Sequence, residues 1–264
     1  MPDIFDLIKN WWKQMLALVI VSVLVAGMIT FLKPKEYLSV ATAVPASSFA
    51  TDKSTIFSEN IQALYSSLGT ADDLDLVIGT AGLDTIYLAV ATQLNLRDHY
   101  KVSENGDEAT RKTATCLRKK TKVMKSEYGE LKVKAWDTNK EMAARIANAI
   151  LHQLQQVHQK LHSISNEATL EGLRSGRDKL KQQADSSTGT ALVNRIDQYD
   201  KLIGEYQLMV DSKPLVLIAV ENARPATVPD RPRLKQVVLA TTLLSLIFSL
   251  LVALLLERSK QANA

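Results

Sequence analysis

Hydrophobic residues along this chain follow three patterns, and the first is an unbroken run. MLALVIVSVLVAGMITFL extends for eighteen residues from Met15 to Leu32 without a charge, and VVLATTLLSLIFSLLVALLL does so for twenty residues from Val237 to Leu256. A helix rises about 1.5 Å per residue and needs about 20 apolar residues to cross a hydrocarbon layer of about 30 Å. Each run therefore predicts a transmembrane helix, at 15–32 and 237–256. The first run exceeds the roughly 7–15 residues of a signal-peptide core. It leads directly into Lys33-Pro34-Lys35 with no clear A-x-A site at its end, which predicts a retained span. Two spans put the tails, residues 1–14 and 257–264, on one side of the membrane and residues 33–236 on the other.

The second pattern is alternation. EYLSVATAVP, residues 36–45, is rich in β-branched and aromatic residues and reads as a strand ending at Pro45. In TKVMKSEYGELKVKAWD, Val123 sits between Lys122 and Met124, while Leu131 and Val133 alternate with Lys132 and Lys134. With Tyr128-Gly129 as the turn, this predicts a half-buried hairpin. LVLIAVENA, after Lys213-Pro214, predicts a further strand returning to the same sheet. Short helices are expected over 54–68, 70–80, 83–95 and 107–120, with Gly69 and Gly82 as separators. Asp72, Asp73 and Asp75 fall in the first turn of the second of these, where a helix dipole favours acidic residues.

The third pattern is a heptad. Ala143, Ala147, Ile150, Leu154, Val157, Leu161, Ile164 and Ala168 are spaced 4, 3, 4, 3, 4, 3, 4. After the polar stretch 185–189, Leu192, Ile196, Tyr199, Ile203, Tyr206 and Val210 repeat the same steps. Two seams of average period 3.5 predict an antiparallel helical hairpin over 138–211. Its outgoing arm would reach about 70 Å and its return only about 33 Å. A break at Gly172 and Gly176 would reconcile the two lengths. Asp137 or Thr138 is the expected N-cap, with Glu141 three residues after Thr138. Pro225, Pro229 and Pro232 make 224–233 an extended, semi-rigid lead into the second span. The expected fold is an α/β membrane protein. Two transmembrane helices flank a domain with a membrane-proximal mixed α/β base and a projecting antiparallel helical hairpin.

Composition narrows the function. The net charge of +4 over 264 residues suggests no nucleic-acid partner, and a single cysteine, Cys116, excludes an internal disulfide. Basic residues flank both ends of both spans in similar number, so charge does not orient the chain. Arg111, Lys112, Arg118, Lys119, Lys120, Lys122 and Lys125 form a dense basic block, a candidate contact for glycan, lipid phosphate or a neighbouring subunit. Ser22, Ala26 and Thr30 in the first span, and Thr241, Ser245, Ser249 and Ala253 in the second, recur every fourth position and suit close helix packing in lipid. His158 and His162 lie four apart on a helix flanked by Gln and Lys, which reads as a wet flank. No third ligand joins them, so no metal is assigned. His99 and His152 have no evident partner. The sequence contains no Ser-His-Asp set, recognisable acid–base carboxylate frame or G-x-x-x-x-G-K-[ST] phosphate loop. Neither an enzyme nor a cofactor is expected.

Three features together resemble one family. They are the frame of two terminal spans, the stretch LKVKAWDTNKEMAARIANAILHQL, and LVLIAVENARPATVPDRP leading into the second span. The second stretch is similar to a strand, acidic turn and A-x-x-I-A-N helix start, here Asp137, Ala144, Ile146, Ala147 and Asn148. The third is similar to a terminal strand with spaced prolines, here Pro225, Pro229 and Pro232. The chain thus resembles the chain-length determinants, or Wzz-like polysaccharide co-polymerases, in the form without a kinase domain. The resemblance implies a homo-oligomeric ring in the bacterial inner membrane, with both tails cytoplasmic and the large domain periplasmic. It also implies control over how far a polymerase extends a lipid-linked polysaccharide, whether O-antigen, capsule or exopolysaccharide. Two departures stand out: the helical part is short for the family, and Asp137-Thr138 stands where a proline is frequent. The alternative is a membrane adaptor for a separate cytoplasmic tyrosine kinase, and the short tail ERSKQANA argues against it.

Overall fold

The computed structural model describes residues 4–46, 71–184 and 190–262. The helix expected over 54–68 and the polar link 185–189 lie outside the described residues. The chain divides into two compact units, Met1–Tyr37 with Thr227–Ala264, and Leu38–Ala226.

In the first unit, α1 (Ile4–Leu32) packs along α8 (Leu234–Ala262). Both are long and apolar enough to cross a membrane, over Trp11–Leu32 and Leu234–Arg258. Small and hydroxyl side chains occupy the contact. Thr30, Ser245, Ser249 and Ala253 are buried and Ser22, Ala26 and Thr241 half-buried, whereas Leu24, Met28 and Leu244 stay exposed to the surroundings. Hydroxyls cannot find water in hydrocarbon, so each must be satisfied within the protein. Thr30 Oγ1 donates to the Ala26 carbonyl at 2.6 Å, and Ser245 and Ser249 donate to Thr242 and Leu246 at 3.0 and 2.8 Å. At one end of the pair, Trp11 Nε1 donates to Glu257 Oε2 at 2.8 Å. At the other, the Glu36 backbone bridges to Arg231 and the Arg231 guanidinium lies 3.7 Å from the Glu36 carboxylate.

The second unit is built on a four-stranded sheet in the order β2–β3–β1–β4. Its strands are β1 (Tyr37–Pro45), β2 (Thr121–Lys125), β3 (Leu131–Asp137) and β4 (Leu217–Glu221). Burial in β3 alternates perfectly from Leu131 to Asp137, the period that predicted it. β2 and β3 pair antiparallel with Val123 opposite Val133, and Gly129 takes φ +77° in the connecting turn. That left-handed backbone is open to glycine at no steric cost. β4 pairs antiparallel with β1, with an irregularity between Thr42 and Ala43. The helices are α2 (Ala71–Ala81), α3 (Asp84–Gln93), α4 (Leu96–His99) and α5 (Gly106–Lys119). The helix expected over 83–95 stops at Gln93, because the chain turns through Asn95 at φ 49°. Leu74, Ile86, Val90, Leu96, Leu117 and Val133 fill the core together with Ile146, Ile150 and Leu154 from the long helix.

That long helix, α6, runs unbroken from Lys140 to Ala184, and α7 from Thr190 to Ser212. The break expected at Gly172 and Gly176 does not occur. Instead the first part of α6 belongs to the α/β core and only the distal part pairs with α7, which accounts for a length of about 68 Å against about 34 Å. The glycines have a different role. A Cβ on Gly176 would stand 2.8 Å from Tyr199 Cε1 on α7, so this position lacks a side chain where the two helices approach; Gly172 faces open space. A double-mutant cycle is expected to show the difference. Gly176→Ala gains less in the wild-type background, where the Tyr199 ring must move aside, than in Tyr199→Ala, where it stabilises by about 1 kcal/mol, the ordinary helix propensity gain. Equal effects in both backgrounds, measured by thermal or denaturant unfolding, would contradict the contact.

The α6 seam also needs correction. Ala143, Ala147, Ile150 and Leu154 are buried, and the last three belong to the sheet-packed core rather than to a coiled coil. Val157 packs at its margin. Further on, Leu161 and Ile164 are 50% and 54% exposed, while Leu170 is only 5% exposed. The cause is the mismatch between a seven-residue repeat and a helix of 3.6 residues per turn, which rotates the stripe by about 20° per heptad. From residue 143 to 168 the rotation reaches about 70°, enough to turn the stripe off the packed face. On α7, Leu192, Ile196, Tyr199, Ile203 and Tyr206 are half-buried, and Met209 is 2% exposed.

Candidate functional site

The two stretches that carry the family resemblance meet on α6. At its start, Asp137 is 0% exposed. Asp137 Oδ1 accepts the Asn139 N–H at 2.9 Å and lies 2.8 Å from His99 Nε2. The helix is capped by Asn139, whose Oδ1 accepts the Met142 N–H at 3.0 Å. The cap is therefore neither Asp137 nor Thr138. Asp137 closes the turn before the cap and holds α4 through His99, while Glu141 pairs with neighbouring Lys140 at 3.8 Å. His99, without a partner in the sequence, gains one from 38 residues away. Its ring stands 5.1 Å from that of Tyr100, over which Lys120 Nζ sits at 4.7 Å.

One turn further, Ala144, Ile146 and Ala147 are buried, and the two alanines let α6 approach the core closely. Beside them Asn148 makes two hydrogen bonds to a single residue of the returning chain. Its Nδ2 donates to the Ala223 carbonyl at 3.1 Å, and its Oδ1 accepts the Ala223 N–H at 2.7 Å. Seven residues on, Gln155 Oε1 accepts the Leu217 N–H at 2.6 Å; four more, and Gln159 Nε2 donates to the Lys213 carbonyl. Asn148, Gln155 and Gln159 form one polar ladder that holds residues 213–223 along α6. The flank read as wet is thus a docking face, and His158 within it is 1% exposed. His162 is half-buried, and no group of three metal-ligating side chains occurs among the described residues. Just past the ladder, Ser39 Oγ donates to the Arg224 carbonyl at 2.9 Å. Pro225 is exposed, and Pro229 and Pro232 are half-buried.

Three members of the basic block have acidic partners. Lys112 pairs with Glu104, and this contact raises the Lys112 pKa and lowers that of Glu104. Arg118 reaches Asp84 at 3.1 Å with the Tyr87 ring nearby, and Lys125 reaches Asp75 at 3.4 Å. Arg111, Lys119 and Lys122 are exposed and make no ion pair among the described residues. Near the hairpin turn, Lys132 and then Ser126 hold the Glu130 carboxyl below its ordinary range. Exposed pairs of this kind contribute little to stability. Across the helical hairpin, Arg177 bonds Asp178 and reaches Asp200 on α7 at 3.1 Å, which raises its pKa. Arg174 Nη2 donates to Gln207 Oε1 at 2.8 Å.

These features define a two-span α/β protein. Its long helix docks the returning strand on one face and leaves the apolar residues Leu161 and Ile164 uncovered on another. Among solved structures, a full-length bacterial polysaccharide co-polymerase is similar at 14% identity and a TM-score of 0.44, over 100% of this chain and 99% of that one. A fragment of WzzB, the polysaccharide co-polymerase from Salmonella Typhimurium, is similar at 14% identity and a TM-score of 0.41, over 75% of this chain and all of the fragment. No protein-family model matches the sequence, and no curated protein does.

Proposed function

We propose that this protein is a non-enzymatic scaffold of the bacterial inner membrane. It assembles as a ring and sets the chain length of a lipid-linked surface polysaccharide made by a separate polymerase. In this reading the tails are cytoplasmic and residues 33–236 periplasmic, and the polymerase and its lipid-linked product are the working partners. The observation that carries the reading is the interlock at Asn148. The stretches that resemble the chain-length determinants, although 75 residues apart, engage through the two hydrogen bonds to Ala223. A resemblance spread over two separate stretches gains weight when they serve one joint. The uncovered apolar residues of α6 supply a surface for a second copy.

Deleting the chromosomal copy and resolving surface polysaccharide on a gel tests this. Polymer is expected to persist with its preferred length lost. An unchanged length distribution would contradict the proposal, and loss of tyrosine phosphorylation alone would favour the kinase-adaptor alternative.

A further inference from the structure

The end of the two-helix unit that carries residues 33–36 and 230–235 is strongly basic. Lys33, Lys35, Arg231, Arg233 and Lys235 stand there against two acidic residues, Glu36 and Asp230. Arg231 lies 3.7 Å from Glu36 and Arg233 2.7 Å from Asp230. Lys33, Lys35 and Lys235 are exposed and make no ion pair among the described residues. From Lys235 a shallow apolar groove, open along its length, follows one face of α8. Among the described residues it is lined by Leu234, Lys235, Val238, Leu239, Thr242 and Leu243. Residues 234 to 243 span about 14 Å along the helix, close to half of a hydrocarbon layer of about 30 Å. The Thr242 hydroxyl donates to the Val238 carbonyl at 2.8 Å, so the groove wall presents little unmet polarity.

We propose that this groove retains one anionic glycerophospholipid from the leaflet at this basic end of the helix pair. An acyl chain lies against Val238, Leu239 and Leu243, and the head-group phosphate is held by Lys235 with Lys33 and Lys35. Charge complementarity selects the head group, because these three ammonium groups make no ion pair among the described residues while the neighbouring guanidiniums already have carboxylates. Depth selects a single leaflet, since the groove ends where an opposing leaflet would begin. Lys235 can lay its methylene stem along the groove and keep its ammonium at the interface. The inference does not depend on the polysaccharide function.

The test uses the full-length chain in mild detergent, with native mass spectrometry after adding phosphatidylglycerol, phosphatidylcholine or diacylglycerol of identical acyl chains. The wild type is expected to retain phosphatidylglycerol in preference to the other two. Each lysine changed to Gln at 33, 35 or 235 is expected to weaken that preference about five-fold. Lys235→Arg is expected to keep it. Leu239→Trp, on an exposed face, should reduce retention of the lipid without altering the melting temperature. Equal retention of all three lipids, or lysine variants that behave as the wild type, would overturn the proposal. So would full displacement of phosphatidylglycerol by an equimolar polyisoprenyl phosphate. A Leu239→Trp variant that changes the number of copies per assembly while leaving lipid retention intact would place a protein surface in the groove instead.

Discussion

Asn148→Ala is expected to lower the melting temperature of the full-length protein by about 5–15 °C. The side chain satisfies both backbone groups of Ala223, at 3.1 and 2.7 Å. Alanine leaves both without that partner, at a cost of about 1–3 kcal/mol for each group that water does not reach. A total of about 2–6 kcal/mol corresponds to a fall of roughly this size in a domain of this length. The returning strand should also loosen, because β4 is only five residues long and pairs with β1 alone in the sheet order. Asn148→Asp should not rescue it, since a carboxylate can accept the Ala223 N–H but faces the Ala223 carbonyl without a proton to donate. A fall under about 2 °C, with unchanged protease sensitivity at 213–223, would contradict the interlock.

The second expected result concerns assembly rather than folding. Leu161→Glu with Ile164→Glu should leave the folded subunit within about 0.5 kcal/mol of the wild type, because both side chains are half exposed and fill no cavity. If copies meet along this face, every subunit contact then gains charges in an apolar patch. The few hot-spot residues near the centre of an interface cost about 2 kcal/mol or more when truncated, and a buried unpaired carboxylate adds a desolvation cost to that loss. The loss repeats around a ring, so the double variant should run as monomers or small species in gentle detergent at concentrations where the wild type is multimeric. A Leu161→Met, Ile164→Met control should assemble normally. Wild-type assembly by the Glu variant would remove this face from the interface.

Much of the fold is legible in the sequence because its strongest patterns are local. Runs of eighteen and twenty uncharged residues identify two spans, and the alternation of Leu131 and Val133 with Lys132 and Lys134 identifies a half-buried strand. Two expectations fail for one shared reason. The heptad on α6 and the apparent need for a break at Gly172 and Gly176 both assume that α7 is the partner of the whole helix. Periodicity states which residues share a stripe, not what covers it, and the sheet covers the first part. Gly176 reads as a breaker on propensity, whereas tertiary contact with Tyr199 determines its role.

The interlock was half legible. Asn148 stood out by resemblance, yet its partner, a backbone group 75 residues away, leaves no mark in the sequence. Gln155 and Gln159 did carry a signal, since steps of seven and four put them on the face of Asn148. Asn139 was available as a cap too, being among the best N-cap residues. The acidic partners of the basic block are not legible in the sequence, because spacing along the chain does not state which carboxylates lie nearby in space. Asp84 and Asp75 approach Arg118 and Lys125 from 34 and 50 residues away, whereas Glu104 reaches Lys112 across only eight.

The central claim, that multiple copies acting together set polymer length, is tested most directly by gel analysis of surface polysaccharide. The strain for this measurement carries Leu161→Glu with Ile164→Glu in place of the wild-type gene, at matched membrane abundance. The account predicts that polymer is still made and exported but loses its preferred length. A sharp, wild-type length distribution from subunits shown to be monomeric in the same membranes would contradict it.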